Sequence, residues 1–379
     1  MLMIDGDYPM AFGGVIMERD LTLPIDQVRA EPTPTGKPSG WSNEGTMASI
    51  PEMRRSGMAV ALVKINRCIL REDTESFCGH EYEGPSGHGH GEVRTDHHAY
   101  VSGIAQLGYY QIMRAAGESR LLKTPAEFKE HMDEWQGVDN YDGLPVGMVL
   151  GMEGADPIVW PQQVHEWFEA GLRVISLSHY GVSRYSHGTG TGTNGGLMPL
   201  ARELLREMDA LGIILDVSHT SDESVRQELD IFEGPVLASH QNCREVTPGE
   251  RQFPDHLLKS IIERGSVIGH SMDAYMLWSK EIDWANIPGH RFPKHEVTLE
   301  RIVDNIDHVS QLAGNSLHSA IGGDTDGQGG ARGAPKEIDT IYDYLQIADF
   351  MERRGYKQED IENVMWRNWQ RFFEANLPA

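Results

Sequence analysis

Six side chains that could bind a metal ion or move a proton follow short apolar runs in the sequence. They are Asp7, Glu153, His179, His219, His240 and Asp324. Carboxylate and imidazole donors without sulfur form the ligand set expected for one or two divalent cations that activate water. Each alone has an ordinary explanation, because a histidine after a strand is often a hydrogen-bonded cap and an aspartate in GGDTDG is often a turn former. Six such endings in one chain favour a metal-dependent hydrolase over six unrelated structural roles.

The apolar runs also predict the elements that position these side chains. Runs of this length indicate strands buried on both faces, with helices between them. Eight strands are predicted, at residues 2–5, 57–65, 146–152, 173–178, 212–218, 235–239, 265–271 and 318–323. In a closed (β/α)8 barrel the carboxyl ends of all strands meet at one face, so distant residues can share one pocket. The predicted fold class is therefore α/β, a (β/α)8 TIM barrel of the metal-dependent hydrolase type.

Local sequence chemistry marks several of the helices between the strands. The segment TPAE at 124–127 combines an N-cap, a proline at the first helical position and a capping-box glutamate. Helices are also predicted at 197–211, 254–264 and 298–313, and a glycine follows each of them. These signals support the alternation of strand and helix that a barrel requires.

Length, charge and cysteine content bound the class of protein. A chain of 379 residues fits one barrel domain, 1–379, with long loop insertions at about 14–50 and 71–100. The net charge of −24 argues against nucleic acid or an anionic membrane as a partner. Three cysteines without a CxxC spacing predict a reducing compartment, and without a signal peptide or a membrane-spanning run the expected location is cytoplasmic. A homodimer stays open.

Two glycine-rich stretches could be taken for ligand sites. Residues 71–100 include histidines at positions 80, 88, 90, 97 and 98, and a histidine cluster can bind metal. The glycines of SGHGHGE favour a lid or surface loop after the second strand instead. The stretch HGTGTGTNGG at 187–196 lacks the Gly-Lys-Ser/Thr ending of a phosphate-binding loop, so we expect a mobile loop there.

Six segments, taken in order, resemble one known family. They are GMEGAD (151–156), LSHY (177–180), DVSHTS (216–221), ASHQN (238–242), ERQFPD (250–255) and GGDTDG (322–327). Together they resemble the renal or membrane dipeptidase family, the M19 metallopeptidases of the amidohydrolase superfamily, from residue 1 to about residue 373. The resemblance implies a (β/α)8 barrel with a binuclear zinc site that hydrolyses dipeptides and tolerates a D-residue at the C-terminal position.

The resemblance also implies roles for individual residues. Glu153 matches the carboxylate that bridges the two metals, and His219 and His240 match the ligands of the second metal. Asp324 matches the aspartate that closes the first site and handles the proton of the attacking water. His179 matches the residue that polarises the scissile carbonyl. In such a site two cations lower the pKa of a bridging water, a carboxylate accepts its proton and an imidazole stabilises the oxyanion.

Substrate recognition and the C-terminal segment follow the family pattern less closely. Arg251 matches the arginine that holds the substrate carboxylate, which a guanidinium can bind bidentately. The family's arginine-asparagine pair is Arg251-Gln252 in this sequence, and its C-terminal Gly-Gly-Asn stretch is Trp366-Arg367-Asn368. These changes suggest a divergent subgroup.

The most serious departure lies at the first metal site. Asp5-Gly6-Asp7 stands where the family has His-x-Asp. Asp5 and Asp7 would then bind the first metal beside two further carboxylates, and such an oxygen-rich site favours Mn²⁺ or Mg²⁺ more than a histidine-containing site does. Two like charges about 4 Å apart repel by roughly 4 kcal/mol at an effective dielectric of about 20. A weakened or vacant first site, in which Asp5 only caps the following loop, therefore stays open.

The predicted function is that of a metal-dependent dipeptidase with two divalent metal ions, zinc first, and a small peptide as substrate. A rival within enzymes is another amidohydrolase on the same scaffold, an N-acyl amino acid hydrolase or a lactonase. A rival from another class is a catalytically silent ligand-binding homologue, which Asp5 supports. The retention of the remaining site residues, Arg251 included, favours the enzyme.

Overall fold

The computed structural model describes residues 1–35, 42–66, 95–189, 194–278, 294–327 and 330–379. The described residues form nine strands: β1 Met3–Tyr8, β2 Met58–Asn66, β3 Ser119–Leu121, β4 Val146–Glu153, β5 Leu172–Ser176, β6 Ile214–Asp216, β7 Val236–Leu237, β8 Ile268–His270 and β9 Ser319–Ile321. They also form twelve α-helices: α1 Ile25–Ala30, α2 Ile50–Ser56, α3 Asp96–Ala115, α4 Pro125–Gln136, α5 Val164–Ala170, α6 Ala201–Leu211, α7 Asp222–Ile231, α8 Asp255–Glu263, α9 Glu300–Ala313, α10 Gln346–Arg353, α11 Gln358–Glu362 and α12 Asn368–Asn376.

Parallel pairing carries the strands around a ring. The larger sheet has the order β1-β2-β4-β5-β6-β7, β3 pairs with the start of β4, and β8 pairs with β9. Just after β7, Ala238 forms a parallel bridge to Ile268 of β8. After β9, the backbone N–H of Thr325 donates to the carbonyl oxygen of Asp7 in β1 at 3.4 Å. The eight strands other than β3 therefore follow the order of a (β/α)8 barrel, and the predicted fold class is confirmed.

Each of the eight predicted strands is present, and the first one differs most from its prediction. β1 runs to Tyr8, which still pairs with Val63 of β2, although the apolar run ends earlier. Asp5 and Asp7 therefore lie inside the strand rather than after it. The ninth strand, β3, was not predicted, because its three residues are centred on Arg120 and carry no apolar run.

The helix signals in the sequence are confirmed at atomic detail. Thr124 Oγ1 accepts a hydrogen bond from the Glu127 backbone N–H at 3.2 Å, and the Glu127 carboxylate accepts one from the Thr124 N–H at 3.1 Å. The helices α6 and α9 end at Gly212 and Gly314, whose φ angles of 69° and 73° lie in the left-handed region that favours glycine. No helix among the described residues has both the length and the apolar character needed to cross a lipid bilayer.

The loop predictions are wrong where a local cap starts a helix. Helix α1 lies inside the stretch 14–50, and α3 begins at Asp96, so His97 and His98 are helical. Thr95 starts α3, because its hydroxyl accepts a hydrogen bond from the His98 backbone N–H at 3.3 Å. Residues 36–41, 71–94 (with the histidines at 80, 88 and 90) and 190–193 lie outside the described residues.

Candidate metal centre

Three donor atoms from three strand ends converge at one face of the barrel. Glu153 is the last residue of β4, and His219 and His240 each follow a strand by three residues. Oε1 of Glu153 lies 3.3 Å from Nε2 of His219 and 3.2 Å from Nε2 of His240. All three side chains are buried, and their donor atoms lie within 4.8 Å of one another. Three protein ligands around one point suit a catalytic divalent cation, which keeps a coordination position open.

The imidazole of His240 is oriented by a carboxylate. Its Nδ1 lies 2.9 Å from Oδ2 of Asp7 and 2.8 Å from Oγ of Ser239. Its Nε2 is buried and has no hydrogen-bond partner among the described residues. A metal-binding histidine is typically held in this way, with one nitrogen on a carboxylate and the other facing the ion. The orphaned Nε2 therefore fits a cation shared with Glu153.

The other two ligands are also fixed by neighbours. Oε2 of Glu153 accepts a hydrogen bond from the Asn66 amide at 2.7 Å, which leaves Oε1 directed at the two imidazoles. Nδ1 of His219 lies 3.3 Å from the Thr189 hydroxyl. The backbone of His219 has a φ of 66°, a conformation that non-glycine residues rarely adopt and that occurs often at functional sites.

The electrostatics of the centre favour a cation between these groups. The Asp7 and Asp324 carboxylates outweigh burial and raise the pKa of His240 to about 10. Burial opposes ionisation of Glu153, but its contacts with neighbouring positive groups, the hydrogen-bonded His240 among them, nevertheless lower its pKa to about 2. The cluster thus holds a proton on His240 at neutral pH, and a metal ion at Nε2 would take the place of that proton.

Asp324 lies at the edge of this group, after β9. Its Oδ2 is 4.0 Å from Nε2 of His240, and its φ of 51° is again left-handed. Burial raises the pKa of Asp324 and of the neighbouring Asp273. Asp273 was not predicted from the sequence, although it follows β8 by three residues, the same spacing at which His219 and His240 follow their strands.

The structure does not bring Asp5 into either group of candidate ligands found among the described residues, Glu153/His219/His240 and Asp7/His240/Asp324. Oδ1 of Asp5 accepts hydrogen bonds from the backbone N–H groups of Gly323 at 2.6 Å and of Asp7 at 3.1 Å. Its Oδ2 accepts one from the Thr325 hydroxyl at 3.0 Å. Burial raises the pKa of Asp5 to about 7. Asp5 thus holds the loop after β9 against β1.

A buried lysine, which sequence reasoning missed, contacts the other side of Asp7. Nζ of Lys64 lies 3.0 Å from Oδ2 of Asp7, 2.6 Å from Oδ2 of Asp216 and 3.1 Å from the Ser239 hydroxyl. None of these side chains has more than 1% of its surface exposed. The signal was present in the sequence, since Lys64 interrupts the apolar run of β2, where a charge needs a partner.

His179 and Arg251 lie beside the candidate metal ligands. The ring of His179 lies 4.4 Å from that of His219 between centroids, and burial lowers its pKa to about 4, so the ring is neutral. Arg251 is buried, and it donates to the Gln241 side chain at 2.8 Å and to the His240 carbonyl oxygen at 2.9 Å. Its Nε has no hydrogen-bond partner among the described residues.

A cavity at this face is lined by Glu153, His179, His219 and Asp324 together with Tyr180 and Asn66. The Tyr180 hydroxyl contacts that of Tyr275, and both tyrosines lie close enough to Arg251 to favour its charged form. The neutral His179 imidazole therefore faces the same space as Glu153, His219 and Asp324. This space can hold a cation, and the Arg251 guanidinium, which contacts the His240 carbonyl oxygen, supplies a positive charge nearby.

Comparisons with known proteins agree with the geometry. The model of the membrane dipeptidase family, peptidase family M19, matches residues 116–377. An uncharacterized dipeptidase of Schizosaccharomyces pombe is 27% identical over 234 residues, which are 61% of this chain and 53% of that protein. The dipeptidase tcpJ of Claviceps purpurea is 27% identical over 226 residues, which are 58% of this chain and 48% of that protein. The chain thus spans about half the length of these curated relatives.

Solved structures share the fold over the whole chain. A metallopeptidase from Rhodobacter sphaeroides, liganded with a phosphinate mimic of the dipeptide L-Ala-D-Ala, matches with a TM-score of 0.72 and 20% identity, over 99% of each chain. The M19 metallopeptidase called dipeptidase AC matches with a TM-score of 0.74 and 20% identity, over 100% of this chain and 99% of its own. At this identity the two matches establish the barrel fold.

Proposed function

Because the chain belongs to the membrane dipeptidase family, peptidase family M19, we propose that it is a metal-dependent dipeptidase that cleaves the peptide bond of small peptides. The observation that carries the proposal is the approach of two histidine Nε2 atoms to one Glu153 oxygen, at 3.2 and 3.3 Å, with the His240 nitrogen otherwise unpartnered. Such an arrangement matches the donor set that a bound divalent cation needs. Two imidazole ligands favour zinc among the divalent metals.

We propose that Glu153, His219 and His240 hold the ion, with Asp324 at its edge. When bound there, a divalent cation supplies Lewis acidity and lowers the pKa of a water molecule. Asp324 then accepts the proton of the attacking water, because its carboxyl lies beside the ligands and its pKa is raised by burial. The neutral His179 ring donates a hydrogen bond to the oxygen of the scissile carbonyl as negative charge develops on it.

We propose that Arg251 binds the free carboxylate of the substrate. Two of its nitrogens already hold it against Gln241 and the His240 carbonyl oxygen, which fixes the guanidinium next to a metal ligand. Its Nε edge remains for the substrate. Because the ion pair orients the C-terminal carboxylate and reads little of the side chain, we also propose tolerance of a D-residue at that position.

We infer one barrel domain over 1–379, which the ring order of the strands supports. A cytoplasmic location is supported by the odd number of cysteines, and the acidic net charge of −24 disfavours nucleic acid as a partner.

A substrate panel tests the proposed function. Hydrolysis of L-Ala-L-Ala, L-Ala-D-Ala, an N-acyl amino acid and a lactone is measured with protein reloaded with Zn²⁺, with Mn²⁺ or with no metal. We expect metal-dependent cleavage of the dipeptides. Cleavage of only the N-acyl amino acid or the lactone would replace the proposal by another amidohydrolase activity, and no turnover in any arm would leave a silent binding protein.

A further inference from the structure

We propose that the centre holds one divalent cation per chain, and that the ammonium group of Lys64 takes the electrostatic place of a second cation beside Asp7. The inference deepens the proposed function and rests on it only for the position of the centre. It departs from the binuclear site that the family resemblance implies, and it follows from the contacts of Lys64, Asp7 and His240 and from those of Asp5.

The first contact set satisfies Lys64 completely. An ammonium group has three N–H donors, and the three acceptors within reach are Asp7, Asp216 and Ser239, at 3.0, 2.6 and 3.1 Å. The side chain of Lys64 is fully buried inside the barrel. Two carboxylates therefore already have a positive charge inside the protein, at the position where a second metal ion would have to neutralise them.

The second contact set occupies Asp7. Its Oδ2 faces Lys64, the Nδ1 of His240 and the Ser239 hydroxyl, at 3.0, 2.9 and 3.1 Å. Only Oδ1 of Asp7 lacks a partner among the described residues. A dication on that atom would lie within a few ångströms of a buried ammonium, where Coulomb repulsion is weakly screened. Asp7 acts in this arrangement as the residue that positions His240.

His240 cannot serve two ions in this orientation. Both groups of candidate ligands among the described residues include His240, Glu153/His219/His240 in one case and Asp7/His240/Asp324 in the other. Its Nδ1 is engaged by Asp7, so a single nitrogen, Nε2, remains for a metal. Nε2 lies 3.2 Å from Oε1 of Glu153 and 4.0 Å from Oδ2 of Asp324. We therefore expect an ion on Nε2 to be bound by the Glu153 group.

The remaining ligands of a second site are engaged elsewhere. Both oxygens of Asp5 accept hydrogen bonds from Gly323 and Thr325. Oδ2 of Asp324 lies 4.0 Å from Nε2 of His240, at the edge of the Glu153 group. Among the described residues, a second ion would therefore find Oδ1 of Asp7 unpartnered but would have to displace the contacts that already hold Oδ2 of Asp7, Nδ1 of His240 and Asp5.

The first experiment counts ions without any substrate. Chelator-treated full-length protein is reloaded with Zn²⁺, freed of excess metal and analysed for bound metal per chain. We expect about one equivalent for the native protein and about none for His219→Ala. Two equivalents in the native protein, falling to about one in His219→Ala, would overturn the inference. Because no peptide is present, a failed dipeptidase assay and a failed ion count are independent results.

The second experiment removes the lysine charge. Lys64→Met keeps a long side chain without the ammonium, and Lys129→Met on the exposed face of α4 is the matched control. We expect bound metal to rise from about one to about two equivalents in Lys64→Met and to stay at one in the control. A folded Lys64→Met protein that still binds one ion would overturn the role given to Lys64.

If Lys64→Met does not fold, a spectroscopic measurement on the native protein still tests whether one or two ions are bound. Native protein reloaded with Mn²⁺ is then measured by electron paramagnetic resonance. We expect the spectrum of an isolated ion, since one ion per chain has no neighbour to couple with. The spectrum of a magnetically coupled pair would contradict the inference regardless of how the lysine variant behaves.

Discussion

The charged centre of the barrel has a histidine side and a lysine side, and the buried carboxylates on the two sides differ in the positive groups that they contact. On the histidine side, Glu153 faces two imidazoles, and a buried ring nitrogen of His240 has no partner among the described residues. On the lysine side, Lys64 neutralises Asp7 and Asp216 from within the protein. A buried carboxylate is thus a candidate metal ligand when its counter-charge has to come from outside. When a protein cation is already in contact, the same side chain positions its neighbours.

The largest expected effect comes from removing a ligand on the histidine side. His219→Ala should lower dipeptide turnover about a thousand-fold, because loss of the cation removes several kcal/mol of transition-state stabilisation. Steady-state rates with saturating Zn²⁺ measure the loss. The control is His131→Gln, which alters a buried histidine of α4 that lies outside the centre, with its Nε2 2.9 Å from the Ala59 carbonyl oxygen. Equal losses in both variants would mean that the histidine side has no special role.

On the lysine side the expected loss is one of stability. Lys64→Met leaves two buried carboxylates without their cation, and breaking a buried ion pair in this way costs about 3–5 kcal/mol. Urea unfolding of metal-free protein measures the change in the free energy of unfolding. The Lys129 side chain is 62% exposed, so Lys129→Met should change the free energy of unfolding little. If Lys64→Met were as stable as the native protein, its contacts with Asp7 and Asp216 would not be structural.

Arg251 should show the signature of ground-state binding. Arg251→Ala should raise KM for free dipeptides about 10- to 100-fold with a smaller fall in kcat, because the carboxylate is bound in ground and transition states alike. C-terminally amidated dipeptides should be poor substrates of the native enzyme. Arg251→Lys keeps the charge but lacks the planar fork, so it should recover only part of the loss. Equal activity on free and amidated peptides would assign Arg251 a purely structural task.

Asp5→Ala tests whether Asp5 is a metal ligand or a residue that only holds a loop by hydrogen bonds. Asp5→Ala leaves the Gly323 N–H and the Thr325 hydroxyl without their acceptor, which should lower the free energy of unfolding by about 1–3 kcal/mol. Bound metal per chain should not change. A loss of metal in this variant, or a gain of Zn²⁺ in Asp5→His alone, would return Asp5 to the ligand set.

The last prediction concerns the pH dependence of a buried histidine outside the centre. Burial lowers the pKa of His131 to about 4 from an ordinary value of 6.5. The unfolded chain therefore binds more protons between these values, so the stability from neutral His131 is complete above pH 6.5 and is lost as pH falls toward 4. His131→Gln should remove up to about 1.4 kcal/mol per pH unit from the slope in this window. An unchanged slope in urea unfolding would contradict this reading.

The barrel could be predicted from the sequence because apolar runs and helix caps depend on residues that are neighbours in the chain. The eight strands follow from apolar runs, and the capping box at Thr124 and the glycine that ends α6 follow from local hydrogen bonding. The missed elements have weak local signals, as in the three residues of β3. The loop interpretation of 96–100 gave too little weight to the cap at Thr95.

Sequence reasoning identified the candidate ligands of the centre but missed the residues that neutralise the nearby carboxylates. Glu153, His219 and His240 each stand at or just after a strand, and a parallel barrel gathers such positions at one face. The partners of Lys64 cannot be read in this way, since Asp216 lies 152 residues away and the apolar-run rule says nothing about which charges will meet. The expectation that Asp5 and Asp7 share one cation stays a prediction against which the contacts with Gly323 and Thr325 now weigh.

The most direct test of the account is to locate the bound ion. Crystals of the full-length protein are soaked in Zn²⁺, and anomalous difference density is collected at the zinc edge. The account predicts one peak per chain, coordinated by Oε1 of Glu153 and by Nε2 of His219 and of His240, with Nζ of Lys64 still in contact with Asp7. A peak held by Asp5 and Asp7, or no peak near the two histidines, would contradict it.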